Sequence, residues 1–180
     1  VVSVQELRGD LPAELDAAGF AARYPERVLE PAGGPEIGLY AREPLAPGAV
    51  VRHRDRTIAL AARLGDVELV AVHPAAPIRA TGPWRDDLRG LPPAGARPRI
   101  LAGDFNATLD HAELRRLLDT GYEDAAAEVG AGLTGTWSRR RRLLPPVAID
   151  HVLADSRCGV RSFSAHTIAG TDHRAVLAEL

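Results

Sequence analysis

Arg99-Ile100-Leu101-Ala102-Gly103-Asp104-Phe105-Asn106 is an apolar strand that runs directly into polar residues, and its reading decides the fold. Successive strand side chains point to opposite faces, so the pattern predicts Asp104 and Asn106 on one side and Phe105 turned into the core. A carboxylate and an amide then share a site at a strand end. Asp, Asn and Gly also favour plain turns, because their short side chains bond the local backbone and glycine tolerates unusual dihedrals. The company this stretch keeps separates the two readings. Val1-Val2-Ser3-Val4-Gln5-Glu6 is an apolar run ending in a carboxylate, and Val67 to Val72 is followed by His73. Ile149-Asp150-His151 opens another strand, and Gly170-Thr171-Asp172-His173-Arg174 precedes a last apolar segment. Core packing does not require a polar residue at each of these ends. Convergence at one rim does, and strand ends are where open α/β sheets bind ligands.

Outward from that strand the pattern alternates sheet and helix. Leu11 to Ala18 has helical composition and is stopped by Gly19. Ile37 to Ala41, Thr57 to Ala62 and Val67 to Val72 read as strands, the last two split by Gly65-Asp66 as in an antiparallel hairpin. Arg79 to Leu91 has helical periodicity, while Asp110 and Glu113 ahead of Leu114, Leu117 and Leu118 predict an N-capped helix closed by Gly121. Val147 to Leu153, Val160 to Ile168 and Ala175 to Leu180 supply the final strands. The Pro/Gly-rich pieces at Pro31 to Pro35 and Pro92 to Pro98 read as surface loops. The whole is an α/β pattern without repeats.

The 180 residues are 46% hydrophobic, which suffices for one domain, spanning 1–180, with its own core. A net charge of −2 and a pI near 6.3 exclude the global cationic field of obligate nucleic-acid binders, so a polyanion would have to be gripped locally. The one cysteine, Cys158, excludes an internal disulfide and is expected to be a small buried residue. No run approaches the roughly 20 apolar residues that span a bilayer, and a soluble monomer is expected. The chain contains no methionine and opens inside an apparent buried strand, which points to a native start upstream.

Together, Val4-Gln5-Glu6, Val72-His73, Gly103-Asp104-Phe105-Asn106, Ile149-Asp150-His151 and Thr171-Asp172-His173-Arg174 resemble, in order and over nearly the whole chain, the motif set of the endonuclease/exonuclease/phosphatase superfamily. The fold this resemblance implies is a four-layer α/β sandwich of α+β type, two mainly antiparallel sheets face to face with helices outside. The activity it implies is hydrolysis of a phosphate ester or phosphoanhydride with Mg²⁺ or Mn²⁺. By the same resemblance Glu6 is expected to ligate the metal, with Asp172 a carboxylate of the same metal region. Asp104 would orient or deprotonate the attacking water, Asn106 would contact the phosphate, and His73 would reach it from the opposite side. His173 would stabilise phosphoryl charge or transfer a proton while Asp150 holds its ring. A direct Asp150–His173 contact and a raised His173 pKa are therefore expected. One departure stands out: the family's asparagine-ending strand ahead of the Glu strand has no counterpart before Val1.

Substrate class stays open at this level. A bacterial phosphatase acting on a small or lipid-linked phosphate suits the acidic pI, with membrane association supplied by an upstream segment. A nuclease acting on DNA or RNA would use Arg139-Arg140-Arg141-Arg142, which follows Thr136-Trp137, on the phosphate backbone. The same run also fits an anionic membrane surface or plain solvated charge. A non-catalytic phosphate-binding module is the third reading. Trp137 reads as a packed loop anchor, and His111 and His151 as bystanders.

Overall fold

The computed structural model describes residues 1–30, 36–54, 56–78, 81–137 and 145–180. The loop expected at 31–35 and the arginine run at 139–142 lie outside the described residues. Along the chain come β1 (Val2–Gln5), α1 (Leu11–Ala17), α2 (Phe20–Arg23), β2 (Glu26–Leu29), β3 (Ile37–Ala41) and β4 (Ala46–His53). Then follow β5 (Arg56–Leu64), β6 (Val67–Val72), α3 (Thr81–Gly90), β7 (Arg99–Asp104), α4 (Ala112–Leu118) and β8 (Tyr122–Asp124). The last elements are α5 (Ala125–Glu128), β9 (Asp150–Asp155), β10 (Ser162–Thr167) and β11 (Arg174–Glu179).

A six-stranded sheet of order β4-β5-β6-β7-β9-β8 forms the centre. Its middle hairpin sends alternate residues into two cores. Ala59, Ala61, Val70 and Val72 pack with Trp84, Leu88, Leu114 and Leu117 of α3 and α4. Leu60, Ala62, Leu69 and Ala71 pack instead with Val28, Ile37 and Leu39 of β2 and β3. An almost continuous apolar run with period-two alternation is how a strand buried on both faces reads. β6 and β7 are parallel and joined through α3, whereas β7 and β9 are antiparallel. On the far side, Phe20 of α2 meets Tyr40 of β3 edge-on at 5.0 Å. The layers thus run helix, sheet, sheet, helix, as the α+β sandwich requires.

The second sheet differs from expectation. It consists of a three-stranded piece, β1-β3-β2, and a separate β10-β11 hairpin. Among the described residues β1 has ladder partners only in β3, and β11 only in β10. Both strands line a cavity of about 790 Å³ whose wall includes Val2, Ser3, Val176 and Ala178. With that gap beside it, β1 is half-buried throughout rather than buried. Cys158 is likewise only half-buried.

Local chemistry accounts for the other differences. α4 begins at His111, which stands in extended conformation as its N-cap, and not at Asp110; the His111 side chain instead accepts the Thr108 N–H at 2.9 Å. β4 was hidden because Pro47 and Gly48 interrupt its apolar period, and its ladder to β5 shifts register twice. β8, α2 and α5 are three or four residues long, too short to show a period. Among the described residues no helix is long and apolar enough to cross a membrane.

Candidate active site

One end of the central sheet carries the polar strand ends. Gly103 pairs with Val72 across β6 and β7, and Asp104 pairs with Asp150 across β7 and β9. His73 follows β6 directly, its N–H bonded to Ile58 O at 3.0 Å. Gly103 makes this approach possible: a Cβ there would lie 2.2 Å from Val72 O, and its φ of +151° is one that side chains rarely adopt. Glu6, at φ +59°, turns the chain out of β1, and Asp172 and His173 lead into β11. A cleft of about 820 Å³ is lined by Glu6, His73, Asp104, Asp150, Asp172 and His173.

The GDFN stretch is both turn and site. β7 ends at Asp104, and Asn106 adopts φ +51°, so strand alternation no longer sets its direction. Asp104 Oδ1 accepts the Asn106 N–H at 2.7 Å, and Asn106 Nδ2–H donates to Pro74 O at 3.2 Å. The amide group thereby ties the exit of β6 to the exit of β7. Phe105 is fully buried, as alternation required.

Two histidines flank the Asp104 carboxylate in opposite electrostatic settings. His73 is buried, with Nε2 3.9 Å from Asp104 Oδ2 and 4.0 Å from Glu6 Oε1, and among the described residues its Nδ1 has no hydrogen-bond partner. Burial lowers its pKa against the opposing pull of Glu6, which favours a neutral ring. His173 Nδ1 lies 2.9 Å from Asp150 Oδ2, the contact anticipated from sequence. Burial alone would lower the His173 pKa, but the hydrogen bond and charge of Asp150, helped by Asp104 and Asp172, raise it. Asp104 itself is pushed up to about 7, by burial first and by the Asp150 charge second.

Thr136 escaped the sequence reading. Its hydroxyl donates to Asp150 Oδ2 at 2.6 Å, and the adjacent Trp137 Nε1–H donates to Asp172 Oδ2 at 3.0 Å. A lone Thr-Trp pair carries no spacing signal, and only the segment's position between β9 and β11 brings it to the site. His151 is a fold residue: buried, it bonds Asp124 Oδ2 at 2.7 Å and Ala107 O at 2.8 Å.

Among the described residues no three His, Cys, Asp or Glu side chains are grouped to hold a metal ion. The donor chemistry still suits a hard cation that keeps most of its water and takes one or two carboxylates. Glu6 offers a carboxylate 66% exposed at the cleft. Burial first, and then the charges of Asp150 and Glu6, raise the pKa of Asp104, and a divalent cation would offset that charge.

A family model, Endonuclease/Exonuclease/phosphatase family, matches residues 1–173. Three solved structures illustrate the likeness. A 3′ phosphatase NExo from Neisseria, bound to a product DNA hairpin, has 18% identity, 98% and 87% coverage of this chain and its own, and a TM-score of 0.71. An AP endonuclease from Archaeoglobus fulgidus has 14% identity, 98% and 87% coverage, and a TM-score of 0.72. TDP2 from D. rerio, complexed with single strand DNA product, has 16% identity, 98% and 84% coverage, and a TM-score of 0.70. At such identities the likeness shows the fold. Among curated proteins no match to the sequence is found.

Proposed function

Because this chain belongs to the endonuclease/exonuclease/phosphatase family, we propose that it is a divalent-metal-dependent phosphoesterase that hydrolyses a phosphate ester or phosphoanhydride in the cleft lined by Glu6, Asp104 and His173. The observation that carries the reading is the pair of opposed environments on either side of one cleft. Without a bound ion Asp104 has its pKa raised to about 7, by burial first and the Asp150 charge second, so it takes up a proton more readily than an exposed carboxylate. His173, held by Asp150, retains a proton more readily than a free imidazole.

In this reading Asp104 orients water and accepts its proton, and Asn106 fixes the turn that presents the carboxylate. The His173 ring, its Nδ1–H engaged by Asp150, offers Nε2–H to the phosphoryl oxygens or to the leaving group. His73, neutral, offers a hydrogen bond from the Glu6 side. Glu6 would hold Mg²⁺ or Mn²⁺, with Asp172 contributing directly or through water. When bound, the ion neutralises phosphoryl charge and stabilises the leaving oxygen. Positioning and charge neutralisation supply most of the barrier reduction in such chemistry.

The substrate favoured is a small or lipid-linked phosphate. The chain is slightly acidic overall, and the cleft wall combines carboxylates with the apolar side chains of Leu11, Leu15, Phe20 and Ile168. A nucleic-acid substrate is the second reading, favoured by the DNA products bound to the similar NExo and TDP2 structures. Release of phosphate from a small monoester, a phosphorylated lipid headgroup and a 3′-phosphorylated DNA hairpin, each with Mg²⁺ or Mn²⁺ and with chelator, tests both readings. Turnover of none of them overturns the function. Preference for the hairpin with steep salt dependence selects the nucleic-acid reading.

A further inference from the structure

Thr136 and Trp137 form a short strip between the start of β9 and the start of β11. Their N–H groups donate to Val147 O at 2.9 and 3.0 Å, Val147 N–H returns a bond to Trp137 O at 2.9 Å, and Arg174 N–H donates to Thr136 O at 2.7 Å. Two consecutive N–H groups on one carbonyl form a β-bulge pattern, which re-aims the side chains it carries. The Thr136 hydroxyl turns inward, where the residue is 2% exposed. It donates to Asp150 Oδ2 at 2.6 Å and accepts the Ile149 and Asp150 N–H groups at 3.1 and 3.0 Å. Its one proton and both lone pairs are thereby used. The indole Nε1–H donates to Asp172 Oδ2 at 3.0 Å. His173 stands between these two carboxylates, bonded to the first and 6.3 Å ring-to-ring from the indole.

Valine at 136 would keep the backbone bonds to Val147 and Arg174. What valine lacks is the hydroxyl, and with it both the bond to Asp150 Oδ2 and the acceptor for the Ile149 and Asp150 N–H groups. A carboxylate turns easily about its last torsion, which is broad and two-fold. Asp150 Oδ1 and Oδ2 lie 3.1 and 2.9 Å from His173 Nδ1, so the imidazole alone does not choose between them. The hydroxyl bonds Oδ2 only, and makes that choice.

We infer that Thr136 and Trp137 are positioning residues of the hydrolytic site: the hydroxyl locks Asp150 and through it the His173 ring, and the indole locks Asp172 on the other side. His173 Nε2 and the remaining Asp172 oxygen are then held in fixed relation. The inference rests on the reading of this cleft as a phosphoesterase site. Its geometric content does not.

Three variants test it: Thr136→Val, Thr136→Ser and Trp137→Phe. Thr136→Val is expected to lower kcat by about 10- to 100-fold, the usual cost of losing a partner that orients a site side chain. KM should stay within about twofold and Thr136→Ser should return kcat to within about threefold, since serine restores both the donor to Asp150 and the acceptor for the Ile149 and Asp150 N–H groups. Independently of turnover, the proton NMR signal of His173 Nδ1–H, carried downfield by its bond to Asp150, should move or broaden in Thr136→Val and persist in Thr136→Ser. An unchanged signal with unchanged kcat in Thr136→Val, or equal damage in Thr136→Ser, overturns the inference. Trp137→Phe keeps a ring and deletes one donor, so it covers the case of Thr136→Val failing to fold. A loss of about tenfold in kcat is expected for one charge-assisted bond, and wild-type kcat in folded Trp137→Phe overturns the indole's part. If no phosphoester is turned over while the signal responds as described, positioning stands and the functional reading falls.

Discussion

Replacing Asp104 by asparagine should make the protein more stable and less active at once. The side chain is 11% exposed beside Asp150, and burial followed by that neighbouring charge moves its pKa from 3.8 to about 7. Above neutrality the fold therefore holds an ionised carboxylate that the unfolded chain accommodates more easily. At about 1.4 kcal/mol per pKa unit, the span from 3.8 to about 7 sets a ceiling of about 4 kcal/mol. Water entering the cleft screens the charge and brings the expected gain for Asp104→Asn to about 2–3 kcal/mol. The sign follows from linkage: an acid with a raised folded pKa carries no penalty below its unfolded pKa, a growing one from there to its folded pKa, and a constant one above. Asparagine is nearly isosteric, and its Oδ1 can still accept the 2.7 Å bond from the Asn106 N–H. Urea denaturation in chelator across about pH 5 to pH 8 should show the variant's advantage widening with pH up to the folded pKa. Added divalent ion should narrow it. Phosphoesterase activity should fall by about 10²–10⁴, the range of general-base contributions. A variant less stable than wild type at the alkaline end, or a gain independent of pH, would refute the reasoning.

Glu6→Ala removes an exposed rim carboxylate that fills no cavity, so it should weaken Mg²⁺ binding by calorimetry and abolish turnover with an unchanged melting temperature; full wild-type activity in chelator would overturn the metal assignment. Asp150→Asn combined with His173→Ala should cost little more than His173→Ala alone, because the bonded pair acts as one unit; strictly additive losses in kcat would remove Asp150 from its role. Arg157 holds the Asp155 carboxyl down to about 2 through hydrogen bonds at 2.6 and 2.7 Å. A lowered folded pKa contributes stability above the unfolded value and loses it as pH falls through the folded one. Arg157→Ala should therefore be most damaging above about pH 4 and converge with wild type toward about pH 2, as read by fluorescence-monitored acid unfolding.

Much of the candidate site was legible because its residues close or open strands, and period-two alternation survives in a linear reading. Ile100, Leu101 and Ala102 announce a strand, Gly103 permits the close approach of Val72, and Asp104 arrives at the rim without any knowledge of its neighbours. The same holds for Glu6 after β1 and for His73 after β6. The family's ordered motifs then determine the sandwich, since each polar strand end needs the others on one side of a sheet.

Tertiary structure decided what distance along the chain conceals. That Asn106 would leave strand geometry and bond Pro74 depends on the exit of β6 lying beside that of β7. The division of the second sheet follows from which edges find partners, a matter of pairing and not of pattern. Thr136 reaches the candidate site only because residues 136 and 137 are laced between Val147 and Arg174, and no propensity or period marks a threonine by the carboxylate it touches. The opposed proton affinities of His73 and His173 are likewise three-dimensional: both are histidines beside strands, and burial without a close acceptor lowers one while a carboxylate at 2.9 Å raises the other. Alternation and motif order thus set which residues meet at the rim, and packing set their charges, because desolvation and Coulomb energy depend on the neighbours in space.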